Sequence, residues 1–179
     1  NSDNRNDLWF DHLTVTDWDL NAGADQYYAG ISIQNNPTRI VVEYCSFKKR
    51  ATLSDADPGQ RDGTGNGIWI KAGTQYGTDS GGQHVFRYNT FVGGYDPIGS
   101  EVDDDVRGGF FYNTDIYGNT IRYWADDAIQ IDGSNANIAA WNNRMHHGFR
   151  GISGCPTLVG PLYLIRNTYW NLESAHKLG

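Results

Sequence analysis

Long apolar runs are missing from this 179-residue chain, and no stretch approaches the roughly 18 residues that a membrane-spanning helix needs. Positive charge is scarce. Lys and Arg total 14 against 21 Asp and Glu, a net charge of -7, so capture of nucleic acid or an anionic membrane by charge alone is disfavoured. Proline is limited to 5 residues, while 39% of the chain is hydrophobic and 13% aromatic, which excludes collagen and low-complexity disorder. The length suits one domain, residues 1–179. The only methionine is Met145 and the chain opens Asn1-Ser2-Asp3-Asn4, as expected of a processed or excised part of a longer chain. Two cysteines allow at most one disulfide.

A six-residue pattern recurs: apolar, two free positions, Asn, one free position, apolar. Phe86-x-x-Asn89-x-Phe91, Ile116-x-x-Asn119-x-Ile121, Ala140-x-x-Asn143-x-Met145 and Leu164-x-x-Asn167-x-Tyr169 fit fully. Phe10-x-x-Leu13-x-Val15 and Val42-x-x-Cys45-x-Phe47 carry Leu or Cys in the Asn slot, and successive slots lie 32, 44, 30, 24 and 24 residues apart. Inward residues of a strand recur every second position, so a three-residue step implies a corner. Asparagine tolerates left-handed angles there, and stacked amides can bond from one unit to the next. A second landmark, a small residue before an inward apolar one, appears at Gly30-Ile31, Gly67-Ile68, Gly109-Phe110, Ala128-Ile129 and Gly151-Ile152.

Short strands at a fixed period, stacked on copies of themselves, predict an all-β fold: a right-handed parallel β-helix, or solenoid, of about six rungs with an asparagine ladder. The segments GIWIKAG, HVFRYNTF, DIYGNTIRYW, DDAIQIDG and GPLYLIRNTYWN resemble repeats of the pectate-lyase-like superfamily. That resemblance implies a fold more than an activity, since lyases, hydrolases, phage spikes and structural proteins share it. Cys45 and Cys155 fall three or four rungs apart, roughly 14 to 19 Å at about 4.8 Å per rung, beyond disulfide reach. Two buried free thiols are expected.

From ladder slot to landmark the separations are 17, 22, 20, 9 and 8 residues, so long loops at 16–29, 48–66 and 92–108 are expected side by side along one edge. The arc containing residues 72–83 reads as a plain glycine-rich loop. The long-loop edge supplies candidate substrate-binding residues Trp18, Tyr27, Tyr28, Tyr95 and Arg107, joined by Lys71, Trp124 and Arg150. Aromatic faces pack on sugar C–H faces while charged groups orient hydroxyls, so an extended polysaccharide is the expected partner.

Counting back from the landmark aligns Asp105, Trp124 and His147 in one column, Arg107 and Asp126 in a second, Asp127 and Arg150 in a third. Asp126-Asp127 and His147-Gly148 resemble the Asp-Asp and His-Gly motifs of polygalacturonases, although the Asn-Thr-Asp motif is absent. The resemblance implies inverting hydrolysis with Asp105, Asp126, Asp127 and His147 as catalytic groups, carboxyls standing about 6.5 to 9.5 Å apart. Asn66-Gly67-Ile68-Trp69-Ile70-Lys71 resembles a strand motif of β-helix alginate lyases. It implies a Ca2+-dependent lyase in which Lys71 or Arg87 takes a proton and Asp103, Asp104 and Asp105 hold Ca2+. Against both stands an ion-pair reading, Arg107 with Asp126 and Arg150 with Asp127.

The expectation is thus an extracellular or cell-surface polysaccharide-binding β-helix, a glycoside hydrolase if catalytic, requiring no cofactor unless Ca2+ serves a lyase. Its rival is a non-catalytic module of a fibre, spike or adhesin that stacks end to end, since ends near Leu8 and Leu172 must be covered by further sequence, a short cap such as Glu173 to Lys177, or another protomer.

Overall fold

The computed structural model describes residues 7–18, 29–34, 37–49, 65–71, 81–100, 110, 112–133 and 135–179. The described residues hold strands and no helix, and they group into six units in chain order. The first holds β1 (Trp9–Asp11), β2 (Thr14–Thr16) and β3 (Ala29–Gln34); the second β4 (Val41–Glu43), β5 (Ser46–Lys48) and β6 (Asn66–Lys71). The third holds β7 (Val85–Arg87), β8 (Thr90–Val92) and β9 (Ile98–Ser100); the fourth β10 (Asp115–Tyr117), β11 (Thr120–Arg122) and β12 (Asp127–Gln130). The fifth holds β13 (Ile138–Trp141) and β14 (Arg144–Gly154), the sixth β15 (Leu162–Ile165) and β16 (Thr168–Leu178).

Each strand pairs in parallel with its counterpart one unit away. One sheet runs β1-β4-β7-β10-β13-β15; in the other, β14 joins the β2-β5-β8-β11 row to the β12-β9-β6-β3 row and also pairs with β16. The registers Trp9↔Val41, Val41↔Val85, Val85↔Asp115, Asp115↔Ala139 and Ile138↔Leu162 reproduce the slot spacings.

The asparagine slots are bonded in series, with Asn89, Asn119 and Asn143 buried and Asn167 partly exposed. Asn89, Asn119 and Asn143 each donate their amide to the Oδ1 of the next asparagine, at 3.1, 2.9 and 3.0 Å. That oxygen also accepts the backbone N–H of the preceding slot, at 3.0, 3.1 and 3.0 Å. Cys45 occupies a slot and takes part: its N–H donates to Asn89 Oδ1 (2.9 Å), and Leu13 N–H points at its sulfur (3.4 Å). The left-handed residue at the corner is not the asparagine itself but its predecessor: His12, Tyr44, Tyr88, Gly118, Asn142 and Arg166 have φ of 51 to 66°. Side chains rarely favour that region, so the ladder bonds fix a corner that local preference would not.

Between the sheets lie columns of like residues. Ile31, Ile68, Ile98, Ile129 and Ile152 share one register, and Phe47 stacks on Phe91 at 4.8 Å with planes 6° apart. Nearly all are fully buried, each contributing about 1.5 to 3 kcal/mol. Toward the two ends of the stack the same columns are only partly covered, at Phe10 and Val15 and at Leu162, Leu164, Tyr169 and Leu172.

Three expectations need correction. The third landmark is Pro97-Ile98, because Ile98 pairs with both Ile68 and Ile129; Phe110 is buried against Phe86 on the way to β10 instead. Only Gly93 to Pro97 separate β8 from β9, so the long loop expected at 92–108 does not lie between those two strands. Glu173 to Lys177 are no cap but lie within β16, which continues to Leu178. Both cysteines are free as expected, yet only Cys45 is buried; Cys155 is partly exposed.

Candidate functional site

With Ile98 as landmark, the residue before Pro97 is Asp96, which joins Asp127 and Arg150 in their column, and the count that had set Asp105 beside Trp124 and His147 no longer holds. A second, shorter ladder results. Asn66 Oδ1 accepts Asp96 N–H at 3.0 Å, and Asp96 Oδ1 accepts Asp127 N–H at 2.9 Å. Asp127 does not extend it, because Arg150 N–H is taken by the Asp126 carbonyl at 2.9 Å. The Asp127 carboxylate is 1% exposed, and neither of its oxygens accepts a hydrogen bond.

Asp96, Asp126 and Asp127 each place a carboxylate oxygen within 4.8 Å of the others. Arg150 Nη1 lies 3.3 Å from Asp126 Oδ1 and Lys177 Nζ 3.7 Å from Asp127 Oδ2. The expected Arg150–Asp127 pair is replaced by these two, since Arg150 reaches the half-buried Asp126 and leaves Asp127 to Lys177. Burial, then the charge of Asp127, pushes Asp96 well above the usual carboxylate range. Burial, then the charge of Asp126, raises Asp127 to about 6, with Lys177 opposing. Such a group of hard oxygens can hold a proton or a cation.

The other sequence candidates scatter. Tyr27, Tyr28, Asp103, Asp104, Asp105 and Arg107 lie outside the described residues, as does the Lys71 side chain. Trp124 was expected at the surface beside His147. It is wholly buried, lies under Gly148, and donates its indole N–H to the Arg150 carbonyl at 2.6 Å, so it offers no face to a ligand. Trp18 packs edge-on to Phe47 at 6.3 Å and so anchors its loop to the core. Tyr95, partly buried, lends its carbonyl to Asp126 N–H at 3.1 Å. His147 meets His146 through their Nδ1 atoms at 2.8 Å and lies beside Tyr123; burial lowers the pKa of His146, helped by His147.

A row of aromatic side chains went unread in the sequence. His12, Tyr44 and Tyr88 stack at 5.2 Å per step; Tyr88 meets Tyr117 edge-on at 5.4 Å, and Tyr117 stacks on Trp141 at 4.1 Å. The row crosses five units, with Tyr44 and Tyr88 about half exposed. Beside it the buried Glu43 accepts from Trp9 Nε1 (2.9 Å) and pairs with Arg87, which also donates to the Tyr117 hydroxyl at 2.9 Å. The sequence signal was present one and two positions before the ladder slot, where residues facing outward are aromatic unit after unit. No family model, curated protein or solved structure matches the chain.

Proposed function

We propose that the chain is a right-handed parallel β-helix of six coils that binds an extended, uncharged polysaccharide along its first sheet. Parallel crossovers are right-handed in about 98% of cases, which supports the handedness. The binding reading is carried by the aromatic row of His12, Tyr44, Tyr88, Tyr117 and Trp141. Four steps of about 4.8 Å give it a length of roughly 19 Å, suited to several successive units of a linear polymer. Its rings are held by one another and by a hydrogen-bonded scaffold, so little side-chain freedom is lost on binding. Tyrosine hydroxyls and the Glu43–Arg87 pair offer hydrogen bonds beside apolar ring edges, and the net charge of -7 disfavours an acidic polymer.

Catalysis through Asp127 is less well supported, because its buried carboxylate is out of a polymer's reach. The test is affinity electrophoresis and calorimetry over a panel of neutral and uronate polysaccharides, with reducing ends recorded. Retention by a neutral polymer is expected, and the Tyr44→Ala/Tyr88→Ala double variant should lose at least about tenfold in affinity, whereas Trp170→Ala should not. Silence across the panel, or unchanged binding by the double variant, overturns the reading; silence with concentration-dependent assembly would favour the structural module. New reducing ends would extend the reading to hydrolysis.

A further inference from the structure

We propose that Asp96, Asp126 and Asp127 form a Ca2+ site between the third and fourth units. The assignment is independent of the polysaccharide reading. Ca2+ binds oxygens at about 2.3 to 2.6 Å, so two ligands on one ion stand at most about 5 Å apart, whereas Mg2+ at about 2.0 to 2.1 Å needs them within about 4.2 Å. The three carboxylate oxygens lie within 4.8 Å of one another, inside the first limit.

The second observation is Asp127 itself. Asn66 and Asp96 each use a side-chain oxygen to accept an N–H from the next unit. Asp127 has the same column position but not that bond, because the Asp126 carbonyl takes it. Its carboxylate is 1% exposed, accepts no hydrogen bond, and stands against the other two acids. Leaving a buried carboxylate so placed is costly unless something else fills its lone pairs.

Charge points the same way. Among the described residues, three carboxyl groups face two cations, Arg150 and Lys177, and Lys177 Nζ stands 3.7 Å from Asp127 Oδ2, longer than a hydrogen bond. Asp132 adds negative potential at both Asp96 and Asp127. A divalent ion among the three oxygens would offset the excess negative charge of these described groups, with Arg150 and Lys177 at the rim.

The test uses the whole chain, stripped with chelator and titrated with CaCl2 or MgCl2 at constant ionic strength, followed by calorimetry and thermal melting. Saturable Ca2+ binding is expected, raising the melting temperature by about 5 to 10 °C at a hundredfold excess over the dissociation constant. Mg2+ should do less. Asp127→Asn should lose the Ca2+ response, and the exposed Asp115→Asn should keep it. If Asp127→Asn fails to fold, Asp126→Asn takes its place. No saturable heat or shift up to about 10 mM Ca2+, beyond the weakest range usual for such sites, overturns the proposal. So does a wild-type response from the variant.

Discussion

Removing the charge of Asp127 should stabilise the metal-free protein at neutral pH and do nothing of the kind in acid. The Asp127 carboxyl is raised from 3.8 to about 6 by burial and by Asp126. A carboxyl whose pKa is raised on folding makes the folded state the stronger proton binder, so its penalty is absent below about pH 4 and complete above about pH 6. A difference of about two pKa units corresponds to roughly 3 kcal/mol. His84 works in the opposite direction: burial lowers it from 6.5 to about 4, so stability is lost as pH falls through that window, again by roughly 3 kcal/mol. The wild type should therefore show a shallow pH profile from these two groups. Comparing Asp127→Asn with wild type cancels the histidine. Urea unfolding in chelator at pH 7.5 and pH 4 should give a difference between the two proteins that is more favourable to the variant at pH 7.5 by about 2 to 3 kcal/mol. The amide's own cost in the site is the same at both pH values and drops out. A difference independent of pH would refute the reasoning and make Asp127 an ionised acceptor satisfied by Lys177.

Asn119→Ala should be among the most damaging substitutions, because Asn119 donates to Phe86 O and Asn143 Oδ1 while its own Oδ1 accepts from Asn89. With buried partners left unpaired, a loss of about 3 kcal/mol or more is expected by urea unfolding. At Gly148 an added Cβ would stand 2.3 Å from the Trp124 ring. Gly148→Ala should thus cost about 1 to 3 kcal/mol and shift the tryptophan near-ultraviolet signal.

The sequence displayed its stacking plainly because the ladder is chemically uniform. Asn89, Asn119, Asn143 and Asn167 repeat one residue type at a position where only side-chain bonding to the next unit meets the backbone's demand. The third landmark was legible only with the right rule. Gly109-Phe110 fits the small-apolar pattern, and Phe110 is indeed buried. Yet Pro97 lies eight residues beyond Asn89, the same separation as Gly151 from Asn143, and that short count identifies the paired strand. Misplacing it left Asp96 out of the column of Asp127 and Arg150, which hid the acid cluster. The Arg150–Asp126 pairing was not legible, because the side chain reaches past its own column to a neighbour. Trp124 misled for a related reason: a large aromatic near a corner can point either way, and the absence of a side chain at Gly148 decides it.

The join made by β14 bears on the order in which the chain assembles. In the last two units β14 and β16 pair from Arg144 with Thr168 to Gly154 with Leu178, across the corner at His147. The offset there is 24 residues, against 44 between β4 and β7. Closing the shorter loop saves about 0.5 kcal/mol of chain entropy, and one closure aligns two rows at once. The fifth and sixth units are thus the better nucleus, and the first four would be laid onto them in reverse order. Pulse-labelled hydrogen exchange during refolding should find β14 amides protected before those of β4. Early protection of β4 would place the nucleus at the other end.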